Sequence, residues 1–276
     1  MKYSALIGKN TEHSKSHKIF SILEKDYKIE HSHIKINVEE QNLEQSINEL
    51  KDLGFCFINV TFPYKIKCIK FLDELSDDCK IMKSVNTIKF IGNKKIGYNV
   101  DGISAIAAIQ LKLKKINSKD KVLIFGAGGV ARSIIYELLK YTKNITVINI
   151  DLFENGELAD IFNNIQIYDF SCDFVEKINS SNIIINATSV GNDSQDCVVS
   201  SDDWANISDL HNKYFFDVIL TPTETTFLKN AKKRHAKTCS GLYMTIIQLV
   251  ALFLEFHNLS KINDENYIEK IYSELK

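Results

Sequence analysis

Residues 121 to 140, KVLIFGAGGVARSIIYELLK, put Gly126-x-Gly128-x-x-Ala131 directly after an apolar run and directly before a helical one. Glycines at that spacing allow a tight turn and close approach of backbone to a pyrophosphate, the small third residue allows helix-on-strand packing, and the amides of a helix N-terminus receive phosphate oxygens. A second strand-like run, ITVINI, leads to Asp151, 20 residues beyond Ala131. A carboxylate there suits two ribose hydroxyls and opposes a 2'-phosphate, so the charge favours NAD over NADP. The run NIIINATSVG ends in Asn186, Thr188, Ser189 and Gly191, small polar residues of the kind that line ligands beyond the carboxyl ends of strands, and also of the kind that merely form turns. Earlier in the chain, FINVTFPYKIK gathers Asn59, Thr61 and Lys65 around Pro63, one of only two prolines. Taken alone, Lys65 reads as a solvated lysine and Asp101, before Gly102, as a turn residue.

The elements that must position these residues alternate along the chain. YSALIG, HIKINV, FCFINV, NTIKFIG and KIGYNV read as strands, while SHKIFSILEKDY and EEQNLEQSINELKDLG have helical period, the second stopping at Gly54. After Gly102 comes a helical run, ISAIAAIQLKLKKI, and at KVLIFG a new β-α-β series opens. An apolar helix, LYMTIIQLVALFLEFHN, follows the last β-α unit and is expected to dock on the first domain. With 276 residues, 45% of them hydrophobic, the chain is long enough for two α/β domains.

Composition excludes several classes. A net charge of −1 with both signs interspersed leaves no footprint for nucleic acid or an anionic membrane, and points to a small polar ligand. No segment reads as a signal peptide or membrane span, so a cytoplasmic protein is expected. The six cysteines form no CxxC and the seven histidines no HExxH, which argues against disulfides and a metal site.

Seven stretches in order, GKNTEHSKS, NVTFPYK, SVNTI, YNVDG, GAGGVAR, NATSVG and GLYMTIIQ, together resemble the shikimate dehydrogenase family over nearly the whole chain. The resemblance implies a substrate-binding domain at 1–102, completed by helices in 241–276, and a Rossmann-like doubly wound parallel-sheet domain at 103–240. It also implies an active-site cleft between them and a monomer or homodimer. It implies the reduction of 3-dehydroshikimate to shikimate with NADP or NAD, in aromatic amino acid biosynthesis. Pro63 would fix the turn that delivers Lys65. Hydride reduction of a ring carbonyl needs one proton donor within hydrogen-bond reach of its oxygen. The resemblance gives that catalytic role to Lys65 and Asp101.

The same resemblance gives Ser14 and Ser16 the substrate carboxylate, and Asn59, Thr61, Asn86 and Gln248 the ring hydroxyls. On its own, a serine before SHKIFSILEKDY reads as a helix cap. Cofactor contacts would fall on Gly126, Ala127, Gly128, Gly129, Val130, Asn149, Asp151, Thr188, Ser189, Val218, Gly241 and Met244. Four positions depart from the family pattern. His17 replaces a proline, Val100 a threonine beside Asp101, and Leu220 a tyrosine three residues after Asp217. Ile150 replaces the arginine that grips the 2'-phosphate of NADP. These departures keep two rivals in view: a quinate/shikimate-type dehydrogenase that prefers NAD, and a non-catalytic cofactor-binding relative.

Overall fold

The computed structural model of the chain describes residues 1–260 and 264–275. Residues 261–263 and 276, part of the C-terminal stretch expected to complete the first domain, lie outside the described residues. The chain forms two compact units, Met1–Asp101 with Thr245–Lys276, and Gly102–Met244.

In the first unit the order is β1 (Lys2–Gly8), α1 (Ser16–Tyr27), β2 (His31–Asn37), α2 (Leu43–Asp52), β3 (Phe57–Val60), α3 (Tyr64–Lys67), β4 (Glu74–Leu75), α4 (Asp77–Met82), β5 (Thr87–Ile91) and β6 (Lys94–Tyr98). The six strands form one mixed sheet in the order β2-β1-β3-β5-β6-β4. β1 runs parallel to β2 and β3, whereas β5 is antiparallel to both β3 and β6. All four residues of β3 are buried, which explains its unbroken apolar pattern apart from Asn59. One layer of core packs Ile7, Ile58, Val60, Tyr64 and Ile88 against Ile47 and Leu50 of α2.

The second unit follows with α5 (Asp101–Lys112), whose first residue belongs to the first unit, then β7 (Val122–Phe125), α6 (Gly129–Leu138), β8 (Ile145–Ile148), α7 (Leu152–Ile161), β9 (Gln166–Tyr168), α8 (Phe174–Ser180), β10 (Ile183–Asn186), α9 (Ser201–Ala205), β11 (Tyr214–Asp217), α10 (Thr226–Lys233) and β12 (Lys237–Ser240). Every pairing in this sheet is parallel, in the order β12-β11-β10-β7-β8-β9. This is the doubly wound arrangement in which strand order reverses between β7 and β10, the place where such sheets bind ligands. Phe125, Phe215, Trp204 and Phe227 fill its core.

α11 (Gly241–Phe256) starts in the second unit and ends in the first, and α12 (Glu265–Leu275) packs on α1, where Lys270 pairs with Asp26 at 2.7 Å. Among the described residues no helix is long and apolar enough to cross a membrane.

Candidate active site

Lys65 is placed by its neighbour. Tyr64 is fully buried and donates its hydroxyl to the Val38 carbonyl at 2.6 Å, which anchors the single turn of α3. The Lys65 carbonyl accepts from Val85 N at 2.8 Å, tying that turn to the segment that leads into β5. Pro63 occupies the N-cap of α3, after a cis Phe62–Pro63 peptide, so the expected turn is a helix start.

Asp101, 2% exposed, meets Lys65 from the other side: Lys65 Nζ lies 2.5 Å from Asp101 Oδ2. Asn86 Nδ2 donates to Asp101 Oδ1 at 2.8 Å, and Asn99 Oδ1 accepts from Asp101 N at 2.9 Å. Both carboxylate oxygens and the backbone of Asp101 are therefore held. Asn86 in turn reaches Gln248 Oε1 at 3.5 Å and accepts from Thr87 Oγ1 at 3.0 Å and Val100 N at 3.0 Å. The Val100 contact is through backbone, so the change of side chain there leaves it intact. Asn59 Nδ2 donates to Thr87 Oγ1 at 3.1 Å, while Asn59 Oδ1 is buried with no hydrogen-bond partner. A buried acceptor left unpaired carries a cost that a ligand hydroxyl would relieve.

Thr61 follows β3 and packs its methyl against Gly8. Ser14 and Ser16 form a separate pair, with Ser14 Oγ donating to Ser16 Oγ at 3.1 Å. Neither is the N-cap of α1, which is Lys15 with no side-chain cap bond, but Ser14 Oγ accepts from Ser16 N, the first amide of the helix, at 3.2 Å. The helix-cap reading is thus corrected in position: the N-cap is Lys15, and the serine contact to the helix start comes from Ser14, one residue earlier. Among the sequence-derived residues, Lys65, Asp101, Asn59, Asn86 and Gln248 join in one hydrogen-bonded network, whereas Ser14 and Ser16 bond to each other.

In the second unit, Gly126 turns the chain out of β7 at φ +107°, a conformation that other residues rarely adopt. A Cβ at Gly126 would lie 3.1 Å from the Ala187 carbonyl beyond β10, which puts the glycine turn and the NATSVG exit side by side. Gly128 is the N-cap of α6 with no side-chain cap bond, and a Cβ built on it meets nothing within 4 Å. Open space beside Gly128, at a helix start with no side-chain cap, is compatible with a pyrophosphate there. Ala127 is buried, and its carbonyl accepts from Arg132 Nε at 3.2 Å. Arg132, 1% exposed, also pairs with Glu157 at 2.6 Å.

Around β10, Asn186 organises the loop. Its Oδ1 accepts from Thr188 N at 3.1 Å and Thr188 Oγ1 at 2.7 Å, and its Nδ2 donates to Asp217 Oδ1 at 3.1 Å. Ser189 closes the next turn, its carbonyl accepting from Asn192 N at 3.1 Å. Burial pushes the Asp217 carboxyl up to about 6, against bonds from Thr225, Ile219 N and Asn186 that favour its charged form. Val218 N donates to the Asn186 carbonyl, and a Cβ on Gly241 would fall 2.2 Å from the Val218 carbonyl, so only glycine fits there. Met244, three residues on, is 5% exposed.

At the end of β8, Asn149 Nδ2 donates to the Asp151 carbonyl at 3.1 Å and Glu154 Oε2 at 3.3 Å. β8 stops at Ile148, and Asp151 is the N-cap of α7, its Oδ1 accepting from Phe153 N at 2.8 Å and Glu154 N at 3.0 Å. Ile150 projects outward, 71% exposed. Sequence reasoning missed Thr87, Asn99, Arg132 and Asp217. Thr87, Asn99 and Arg132 lie inside the stretches SVNTI, YNVDG and GAGGVAR, and Asp217 lies three residues before Leu220, but nothing in the one-dimensional pattern marks Arg132 as buried.

Residues 6–88 match the model of the shikimate dehydrogenase substrate binding domain, and residues 108–226 match that of shikimate / quinate 5-dehydrogenase. A shikimate dehydrogenase (NADP+) of Methanococcus vannielii is 34% identical over 251 residues, covering 88% of this chain and 87% of that protein. One of the same name from Pelagibacter ubique is 37% identical over 260 residues, 92% of each chain. A crystal structure of a shikimate dehydrogenase in complex with NADP+ superposes with a TM-score of 0.86 at 31% identity, over 100% of this chain and 96% of that one. With both units matched, in sequence and in fold, the chain belongs to the shikimate dehydrogenase family.

Proposed function

We propose that this chain catalyses the reversible, nicotinamide-dependent reduction of 3-dehydroshikimate to shikimate, with the first unit holding the substrate and the second the cofactor. The observation that most supports this is the Lys65–Asp101 contact at 2.5 Å, locked by Asn86 and Asn99. A structural ion pair has no need of a third side chain that also faces Gln248 and lies close to an unpaired Asn59 oxygen through Thr87. The bound reduced nicotinamide supplies a hydride to the carbonyl carbon. Lys65 gives its proton to the carbonyl oxygen and takes it back in the oxidation direction, while Asp101 fixes the ammonium in place. Asn59, Thr61, Asn86 and Gln248 read the ring hydroxyls, with donors and acceptors suited to a polyol.

Ser14 and Ser16 hold the substrate carboxylate through their hydroxyls. Ser14→Ala is then expected to raise KM for shikimate by about 10–100-fold, following the ~1.5–3 kcal/mol of a hydrogen bond to a charged group. KM for the cofactor stays unchanged. Equal weakening of both ligands in steady-state kinetics would place these serines elsewhere.

Gly126, Ala127, Gly128, Gly129 and Val130 would cradle the pyrophosphate, with Thr188, Ser189, Val218, Gly241 and Met244 nearer the nicotinamide and Asn149 and Asp151 at the adenosine end. The residues just beyond β8 support the choice of NAD over NADP. Ile150 stands where the family arginine would grip a phosphate, and Asp151 spends Oδ1 on α7 while Oδ2 suits a ribose hydroxyl. The Methanococcus and Pelagibacter relatives carry NADP+ in their names, so on this reading the chain departs from them in cofactor choice.

NAD is expected to support shikimate oxidation at least as well as NADP. Ile150→Arg with Asp151→Thr, which keeps a helix-capping side chain, shifts the ratio of kcat/KM toward NADP by about tenfold, ~1.4 kcal/mol. A wild type that strongly prefers NADP at moderate salt contradicts this. Running shikimate and quinate side by side with each cofactor tests the function itself. Leu220, in place of the family tyrosine, favours testing quinate as the second substrate.

A further inference from the structure

A second polar network in the first unit uses none of the groups around Lys65. Ser4 on β1 stands opposite His33 on β2 in the sheet register, and His31 lies two residues away on the same face. All three are buried, and Phe20 stacks over both imidazoles at ring-centroid distances of 4.9 and 4.2 Å. Ser4 Oγ lies 2.7 Å from His31 Nε2 and 2.7 Å from His33 Nδ1. At one end of the row, His31 Nδ1 is 3.0 Å from Nε2 of His257, which follows α11. At the other, His33 Nε2 is 3.0 Å from Ser16 Oγ.

Burial lowers His31 to about 4 and His33 to about 3, and lowers His257 with help from Lys2 and the amino terminus. All three rings are therefore neutral near pH 7, each with one N–H and one bare nitrogen. With Ser4 donating to one imidazole and accepting from the other, which spends its single hydrogen inside the row, one choice of direction fixes every other. In one direction His257 donates to His31, His31 to Ser4, Ser4 to His33 Nδ1 and His33 Nε2–H to Ser16 Oγ. The Ser16 hydrogen is then left for a ligand. In the other direction Ser16 gives its hydrogen to His33 and offers only lone pairs, which repel an anion.

We propose that His33, oriented through Ser4, His31 and His257, is a positioning residue that turns the Ser16 hydroxyl hydrogen toward the substrate carboxylate. This rests on the reading of Ser14 and Ser16 as the carboxylate anchor. The network selects for a negatively charged ligand: binding of a carboxylate picks out the direction in which Ser16 donates.

The test combines kinetics with nitrogen NMR of the intact protein. His33→Phe keeps an aromatic ring against Phe20 but removes both ring nitrogens. It is expected to raise KM for shikimate about tenfold, the worth of ~1.4 kcal/mol, with kcat and the cofactor KM within about twofold of wild type. His33→Gln, which restores an N–H donor, recovers part of that loss, as a purely space-filling role would not. In wild type, added shikimate fixes His33 as the Nε2–H tautomer. An unchanged KM in His33→Phe alongside a raised KM in Ser14→Ala overturns the role of His33 and leaves the anchor standing. An unchanged KM in Ser14→Ala overturns the anchor, and this proposal with it. Should His33→Phe fail to fold, an Nδ1–H tautomer in the wild-type complex with shikimate overturns the proposal on its own.

Discussion

Lys65→Ala lowers kcat for shikimate oxidation by about 10²–10⁴-fold, the usual worth of a positioned general acid-base group. The cofactor KM stays where it was. The loss follows from geometry: Nζ reaches Asp101 from a turn anchored by the buried Tyr64, and no other cation among the described residues pairs with Asp101. The fold survives because Asp101 keeps its bonds to Asn86 and the Asn99 side chain, and the space vacated by the lysine stem admits water to Oδ2. A drop in thermal stability of about 1–3 kcal/mol accompanies the change, as one partner of a partly buried charged hydrogen bond is removed. Steady-state kinetics and a melting curve on the same preparation check both parts. Near-normal turnover would remove lysine from the mechanism.

Asp101→Asn is expected to lower kcat/KM for shikimate by about 10²–10³-fold, with both kcat and KM affected. The two oxygens of Asp101 each face a donor, Lys65 Nζ on Oδ2 and Asn86 Nδ2 on Oδ1. An amide must turn its NH2 toward one of them, so one donor meets a donor. If it faces Lys65, the ammonium loses its orienting partner; if it faces Asn86, that side chain shifts away from Gln248 and the ring-hydroxyl contacts. Either outcome touches chemistry and binding together. The competing reading is structural: Asp101 opens α5, where a carboxylate is stabilising at a helix N-terminus. A variant with lowered melting temperature and unchanged kinetic constants would support that reading instead.

Periodicity makes much of this fold legible. α1, α2 and α11 are readable because ten or more residues keep a helical pattern, and β7 with α6 because strand, glycines and helix come in unbroken order. Short elements carry no period. α3 has four residues and β4 two, so the turn that holds Lys65 reads as loop until Tyr64 is seen to be buried. β8 looks longer in sequence than it is because Asn149, Ile150 and Asp151 continue its apolar-polar alternation, whereas Asp151 has already turned to cap α7.

The candidate site is legible as residues and not as a network. Lys65 and Asp101 are far apart in sequence, and only the β3-β5-β6 pairing brings their segments together. Without the motif pattern, each reads as an ordinary surface residue. A serine before a helix usually caps it, but here the N-cap is Lys15, Ser14 reaches the helix start from one residue earlier, and the Ser16 hydroxyl faces His33. Nothing in HSHIKIN announces that its histidines face inward, since an alternating polar strand normally turns that face to water. Phe20 and Ser4 make the difference, and neither is near them in sequence.

The central claim, that this chain moves a hydride between shikimate and a nicotinamide, is tested most directly with shikimate deuterated at the carbon whose hydroxyl is oxidised. Purified wild-type protein is incubated with this substrate and NAD, or NADP in a parallel sample, and both products are analysed by mass. The account predicts that 3-dehydroshikimate forms without the label, that the deuterium appears on the reduced nicotinamide in equal amount, and that Lys65→Ala slows both together. Failure to form reduced nicotinamide with either cofactor, or label retained in the oxidised product, would contradict it.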